Sequence, residues 1–221
     1  MGSESQKLDG QKLDGQKLEG QKLEGQKLEG RAAEIAVAAR ELIAERGFEG
    51  LRTRDIAARV GINVATLHYH VPSKEALIRI VAQSLRADFI AQHMARPRDG
   101  LSAVEVLKLE FADFRETIVD NPDRFAVMAE LSERAKRDPS VAAEVAPMQA
   151  YWRRQLAEIL DAGSREGEFR PDIDPEAAAA MVIGAMVGAS RADKSLQLLD
   201  RVCAELLRAL AVRPPETERK P

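Results

Sequence analysis

Residues 53–77, which read TRDIAARVGINVATLHYHVPSKEAL, are divided by one glycine and one proline. Gly61 follows a run with helical spacing of apolar residues, and a glycine there is typical of a helix that ends in a left-handed conformation. Pro72 disfavours helix at the residue before it. The segment therefore predicts two short helices and the beginning of a third, rather than one continuous helix.

Polar residues at the expected helix starts agree with this division. We expect Thr53 to cap the first helix, because its hydroxyl can accept a hydrogen bond from a free amide of the first turn. Asn63 can cap the second helix, Val64–His70, and Ser73 can cap a third helix that begins at Lys74. The tight spacing forces the two short helices to cross at a steep angle, so the second helix protrudes.

A protruding helix after a tight turn is the layout of a helix-turn-helix, which places a helix in the major groove of DNA. Leu67 is expected to point inward. The outer positions of the second helix and the starts of its neighbours are then the candidate DNA-binding residues: Thr53, Arg54, Asn63, Val64, Ala65, Thr66, His68, Tyr69, His70 and Lys74. A compact helical corner without a role in DNA binding remains an alternative at this point.

These side chains suit different parts of DNA. A threonine can offer its methyl group to thymine or its hydroxyl to a base or phosphate. Tyr69, His70 and Lys74 can bind phosphate oxygens, which fix the register of a protein on DNA rather than its sequence preference. The free amides at the start of the helix over residues 53–60 can also face a phosphate.

The segment ARELIAERGFEGLRTRDIAARVGINVATLHYHVPSKEALI resembles the DNA-binding domain of the TetR family of bacterial repressors. The resemblance covers about a fifth of the chain. It implies a DNA-binding domain followed by a helical domain that dimerises and holds a small-molecule cavity. The matching residues are Gly47 and Phe48, Thr53, Ile56 and Ala57, Gly61 and Asn63, the run 66–71, and Lys74 and Leu77.

Two positions depart from the family pattern. Asn63 replaces the usual serine and keeps the capping role. His68 stands where the family usually has a tyrosine that touches phosphate; imidazole reaches less far and changes charge near neutral pH, so this contact could be pH-dependent. His68 and His70 lie on different faces of a helix, which argues against a metal site.

Alanine, leucine, glutamate and arginine dominate the chain, and alternating β-branched residues are nearly absent, which predicts an all-α fold. We expect a flexible tail (1–30), a three-helix helix-turn-helix domain (31–77), an effector-binding and dimerisation domain (78–213) and a frayed end (214–221). Cys203, the single cysteine, fits a reducing compartment such as the cytoplasm, and we interpret it as an apolar core or interface residue rather than a redox sensor. No apolar run is long enough for a membrane span, and no signal peptide is visible.

The charge is distributed unevenly. Residues 31–94 contain nine Lys/Arg and seven Asp/Glu, whereas residues 95–221 contain nineteen and twenty-three. This suits a protein that places one end on DNA and keeps the other away from it. The first thirty residues contain five charge-neutral copies of Gln-Lys-Leu-Asp/Glu-Gly; their period matches neither helix nor strand, so we expect a dispensable tail, of natural or artificial origin.

Beyond residue 94 the pattern predicts five long helices, three of which begin with an Asn/Asp cap and a proline: 101–120, 122–136, 139–165, 175–190 and 194–211. Pro147 should kink or divide the third of them. The longest loop is expected at residues 163–174.

A stripe of small residues on the fourth helix and apolar residues on the last could form a four-helix dimer interface: Ala177, Ala180, Gly184, Gly188, Leu199, Val202 and Leu206. Packing of this stripe inside the monomer is the alternative.

Bulky and flexible side chains in the middle helices are candidates for an apolar effector pocket: Phe111, Phe114, Phe125, Met128, Met148, Trp152, Met181 and Met186. An ordinary core would contain the same residues. Arg115, Gln149 and Arg153 could add polar contacts, although a solvated face is the simpler place for them.

The sequence contains no glycine-rich phosphate loop, no paired cysteines and no His-Glu-x-x-His motif, so we expect neither enzymatic activity nor a cofactor. A Cys–His nucleophile formed only by folding stays open. The expected function is that of a homodimeric repressor, released from a palindromic double-stranded operator by a small hydrophobic or amphipathic effector. The alternative is an architectural or accessory DNA-binding protein without such a ligand.

Overall fold

The computed structural model describes residues 28–192 and 195–212 of the chain. Within these ranges the chain forms α-helices with no strand, apart from an isolated bridge between Phe169 and Ala211. The all-α fold is thereby confirmed. The helices are α1 (Gly30–Arg46), a short 3-10 helix (Phe48–Gly50), α2 (Thr53–Val60), α3 (Val64–His70), α4 (Lys74–Met94), α5 (Ala103–Val119), α6 (Pro122–Ala135), α7 (Pro139–Arg165), α8 (Pro175–Ala192) and α9 (Gln197–Leu210).

The helix end and the helix caps predicted around α3 are confirmed. Gly61 ends α2 with φ +74°, and the following amide of Ile62 donates to the carbonyl of Ala57 at 2.9 Å. The Asn63 side chain accepts a 2.7 Å hydrogen bond from the amide of Thr66, which caps α3. Ser73 caps α4 in the same way, through a 3.1 Å bond from the amide of the residue three positions later.

The capping role expected for Thr53 is wrong. Thr53 is already the first helical residue of α2, and Arg52 occupies the capping position without a side-chain cap. The carbonyl of Arg52 accepts from the amides of Asp55 and Ile56 at 3.0 and 3.2 Å. The helix therefore begins one residue earlier than the threonine suggested, and the Thr53 hydroxyl is left without a capping bond.

The chain divides into two compact units. The first contains residues 28–97 and 117–146, and the second contains residues 98–116, 147–192 and 195–212. The core of the first unit is one cluster that includes residues of α1 to α4, α6 and the beginning of α7: Ile35, Leu42, Ile56, Leu67, Ile78, Leu85, Val127, Leu131, Val141 and Val145. The short helices α2 and α3 thus share a core with α6.

In the second unit, the connection between α7 and α8 packs closely against α7. The loop predicted at residues 163–174 starts later, because α7 continues to Arg165 and keeps Gly163 inside the helix. The buried ring of Phe169 lies against Gly163, where an added Cβ would come within 2.3 Å of the ring. Only glycine leaves room for this contact, so Gly163 is a packing residue of α7 rather than a loop residue.

Two of the three predicted Asn/Asp caps are present, and the helix is not divided at Pro147. Asp138 and Asp174 cap α7 and α8, each accepting backbone hydrogen bonds at 3.1 Å, whereas Asn121 makes no side-chain cap at α6. Pro147 does not divide α7, which runs unbroken through it. Among the described helices, none combines the length and the apolar character needed to cross a membrane.

Candidate nucleic-acid interface

Helix α3 presents nearly all of its side chains to solvent. Leu67 is its buried residue, and Thr66 is partly buried. Tyr69 is 84% exposed and stands edge-on to the ring of His70, with 5.2 Å between the ring centroids. The other exposed residues are Asn63, Val64, Ala65, His68 and His70. A helix with one buried residue contributes little to a core, so its exposed surface is available for a partner.

The position of α3 is nevertheless fixed at three points. Leu67 inserts into the core of the first unit, and Val71, which follows the helix, is buried in the same cluster. The amide of Val71 donates to the Leu67 carbonyl at 2.8 Å, and the Asn63 cap holds the other end. These contacts give an exposed helix a defined orientation, which a surface that reads base edges requires.

Three of the predicted residues from three different helices line one groove beside α3. Thr53 comes from the start of α2, His68 from α3 and Lys74 from the start of α4, around a cavity of about 340 Å³ with an apolar floor. All three residues are exposed. The structure thus brings a hydroxyl, an imidazole and an ammonium group, all of which can donate to a phosphate, to one groove, together with the carboxylate of Glu49.

Arginines flank Thr53 on both sides. Arg54 is exposed and lies 3.6 Å from the carboxylate of Asp55, and Arg52 is exposed at the capping position of α2. Sequence reasoning included Arg54 but missed Arg52. The Arg-Thr-Arg pattern at the helix start was the available signal, because a cation there faces any anion bound at the free amides.

Other arginines of the first unit are neutralised within it. Arg59 of α2 binds Glu41 and Glu45 of α1 at 2.9 and 3.0 Å, and Arg46 binds Asp55 at 3.1 Å. The hydrogen bond from Arg59 lowers the pKa of Glu45 below its ordinary value. These ion pairs connect α1 to α2, so their charges serve the fold.

Two sequence profiles match the chain. The profile of the bacterial regulatory proteins of the tetR family matches residues 35–81, which include α2 and α3, and that of the tetracyclin repressor-like C-terminal domain matches residues 109–211. The chain belongs to the TetR family. It is therefore a DNA-binding transcriptional regulator.

Curated relatives in this family are repressors and regulators. The HTH-type transcriptional repressor KstR2 of Rhodococcus jostii is 26% identical over 145 residues, which cover 66% of this chain and 71% of that protein. The HTH-type transcriptional regulator UidR of Escherichia coli K12 is 26% identical over 137 residues, covering 62% and 68%.

Solved structures share the TetR fold. The ketosteroid regulator KstR2 of Mycobacterium tuberculosis aligns with a TM-score of 0.66 at 21% identity, covering 85% of this chain and 98% of that one. A regulator of Saccharomonospora viridis in complex with choline aligns with a TM-score of 0.72 at 23% identity, covering 82% and 98%.

In this TetR-family chain, α8 leaves a face of small residues uncovered. Ala177, Ala180, Gly184 and Gly188 are exposed, and a Cβ placed on either glycine would meet no atom within 4 Å. Met181 lies among them and is 69% exposed, so it belongs to this face and not to a pocket. The face is an apolar surface without a partner in the described part of the chain.

The predicted interface residues of α9 divide into two groups. Val202 and Leu206 are partly buried, whereas Leu199 is 1% exposed. Leu199 is buried and has no surface to offer a second chain. The amphipathic pattern had suggested a single apolar stripe, but the N-terminal part of that stripe is covered in the folded chain.

The residues predicted for an effector pocket are distributed over both units. Phe125 and Met128 lie in the first unit, where Met128 packs against its core. The remaining pocket candidates lie in the second unit: Phe111 and Met186 are buried, Met148 is partly buried, and the rings of Phe114 and Trp152 stack with 5.8 Å between centroids.

The polar candidates lie at the surface, as their simpler interpretation predicts. Arg115 binds Asp200 at 3.1 Å, Arg153 lies 3.8 Å from Glu176, and Gln149 is exposed.

Cys203 is half-buried in α9. Burial raises the pKa of its thiol to about 11, with a smaller contribution from Asp200. A thiol that stays protonated at neutral pH is a poor nucleophile. In residues 28–192 and 195–212 no group of three or more His, Cys, Asp and Glu side chains could hold a metal ion.

Proposed function

We propose that this regulator is a homodimeric repressor that binds a palindromic operator through two copies of α3 and is released by a small hydrophobic or amphipathic effector. The exposed side chains of α3, beside the groove lined by Thr53, His68 and Lys74, carry the proposal. Bacterial DNA lies in the cytoplasm, so we place the protein there. We assign residues 31–77 to DNA binding and residues 78–213 to effector binding and dimerisation.

We assign two kinds of DNA contact. Thr66, with Val64 and Ala65, faces base edges, because short side chains let the helix approach the groove closely. Phosphates are bound by the residues around that surface: Arg52, Thr53, Arg54, Asn63, His68, Tyr69, His70 and Lys74. Cationic and hydroxyl groups at the rim of the helix support this division.

The exposed face of α8 supports the homodimer. Ala177, Ala180, Gly184 and Gly188 allow a second helix to approach closely, and Val202 and Leu206 of α9 extend the proposed interface. A two-fold dimer uses the same patch on both chains and presents two recognition helices to two half-sites. One α3 alone makes few base contacts, so specificity needs the pair.

The effector is proposed to be largely apolar, because Phe111, Met148 and the stacked pair Phe114–Trp152 offer aromatic and thioether surface. KstR2 of M. tuberculosis is described as a ketosteroid regulator, and the S. viridis regulator holds choline. Release from DNA requires that the effector bind the DNA-incompatible state more tightly than the DNA-bound state.

The test begins with a duplex selected from a random DNA pool by the full-length chain. Fluorescence anisotropy at fixed salt should show two chains per duplex, and the selected sequences should be palindromic. Binding that is equally strong on unselected DNA would contradict sequence-specific repression.

A second measurement separates the repressor from an architectural protein. A ketosteroid and choline, added first, should raise the Tm of the free protein and lower its affinity for the selected duplex if either matches the effector class. If a broad panel of apolar and amphipathic compounds changes neither quantity, the architectural alternative gains support.

A further inference from the structure

The turn between α1 and α2 is bonded to α6. The amide of Phe48 donates to the carboxylate of Glu130 at 3.1 Å, and Gly47 before it adopts φ +71°, which favours glycine. Phe48 itself is buried. A carboxylate of α6 thus satisfies a backbone amide in the segment that leads into the DNA-binding helices.

Two cations lie close to the Phe48 ring. The guanidinium of Arg134, on α6, is 4.5 Å from the ring centroid, and the ammonium of Lys74, at the start of α4, is 5.0 Å from it. Both distances are within the range of cation–π attraction. Arg134 also forms an ion pair with Glu49 and lies 3.5 Å from Asp138, and its side chain is mostly buried. The arginine is therefore held from several sides, while the lysine is exposed.

We propose that Glu130 and Arg134 of α6 are positioning residues for DNA binding. They fix the turn and ring of Phe48, and the ring in turn holds Lys74 at the rim of the groove where a phosphate binds. This inference rests on the phosphate role proposed above for Lys74. A lysine side chain that is already restrained loses less conformational freedom when it binds, which improves affinity without any new contact.

The competing account is that these contacts only stabilise the first unit. The two accounts differ in one measurable respect. If Arg134 acts through Lys74, its removal matters for DNA affinity only while Lys74 is present. If Arg134 serves stability alone, its effect on DNA affinity is the same with and without Lys74.

A double-mutant cycle tests this difference in the full-length chain, with the duplex selected by the wild-type protein. Arg134→Met should weaken binding about fivefold in the presence of Lys74, the scale of one cation–π contact, and less than about twofold in the Lys74→Ala background. Removal of Lys74 should reduce the slope of log affinity against log salt by about 0.9. Arg134→Met should change this slope in the same direction by a smaller amount.

Arg137→Met is the matched control. Arg137 follows α6 and is exposed, whereas the cations over the Phe48 ring are Lys74 and Arg134, so its substitution removes one positive charge nearby without touching the contact. We expect it to change affinity equally in both Lys74 backgrounds. Arg134→Lys, which keeps a cation beside the ring, should recover most of the lost affinity.

Phe48→Leu removes the aromatic ring from the same contact. It provides a second variant for the cycle if Arg134→Met fails to fold. It should also cost affinity only when Lys74 is present, whatever its effect on the Tm. Equal losses in both Lys74 backgrounds for either variant overturn the positioning role. If Lys74→Ala alone leaves affinity and salt slope unchanged, the phosphate role of Lys74 fails and the positioning role fails with it. This outcome can be distinguished from equal losses in both Lys74 backgrounds, which overturn the positioning role alone.

Discussion

Helices α3 and α8 both leave a face exposed, but they offer different chemistry. The exposed side chains of α3 include His68, Tyr69 and His70, which carry hydrogen-bonding groups on aromatic rings. The face of α8 contains glycines, alanines and Met181, which offer no hydrogen bonds and let another backbone approach closely. On this difference in side-chain chemistry we assign the exposed residues of α3 to the proposed DNA surface and those of α8 to the proposed dimer surface.

The two helices also differ in what holds them. Helix α3 relies on Leu67, on the Asn63 cap and on Val71 after its end. The longer α8 buries five of its own residues: Ala178, Ala179, Val182, Met186 and Ala189. A single substitution can therefore disturb the orientation of α3, whereas α8 should tolerate changes on its exposed face without unfolding.

The largest effect is expected at α8. Gly184→Arg places a long charged side chain in the proposed interface while leaving the buried side of the helix intact. Sedimentation should show a monomer, and affinity for the selected palindrome should fall on the order of 100-fold or more, because the second half-site no longer binds as part of the same particle.

Ala112→Arg is the control for this change, since it adds the same side chain at an exposed position of α5. It should leave the dimer intact. A Gly184→Arg protein that remains dimeric at micromolar concentration would show that the α8 face has another use.

A smaller effect is expected at Tyr69. Tyr69→Ala should weaken binding about tenfold on selected and unselected duplexes alike, because a hydrogen bond to a charged phosphate contributes about 1.5 kcal/mol or more and carries no sequence information. Tyr69→Phe retains the ring and separates the hydroxyl from stacking. Loss of sequence preference in Tyr69→Ala would instead assign Tyr69 to base recognition.

The smallest effect is expected at Asn63. Asn63→Ala removes the cap of α3 and should reduce the free energy of unfolding by about 1 kcal/mol, with a several-fold loss of DNA affinity. Asn63→Ser keeps a capping oxygen and should retain both quantities. Equal behaviour of the two variants in thermal unfolding would mean that the cap is not needed to hold α3.

The helix-turn-helix could be predicted because its caps and turn depend on neighbouring residues. Other features depend on long-range packing, which a sequence pattern does not show. Gly61, Asn63 and Ser73 act on neighbouring residues, so their roles could be inferred from sequence. Gly163 was assigned to a loop because its partner, Phe169, packs against it only in the folded chain. Leu199 and Met181 were misplaced for a related reason: helical periodicity gives the faces of a helix, but only the fold decides which face is covered.

The ion pairs of Arg59 and Arg46 with the acids of α1 and α2 have a consequence for how the protein searches a genome. A regulator encounters arbitrary DNA far more often than its own site, and unpaired cations prolong each wrong encounter. Glu41 and Glu45 neutralise Arg59, and we expect this pairing to weaken the attraction to arbitrary DNA. The acids of α1 should thereby shorten the time that the protein spends on sequences it does not regulate.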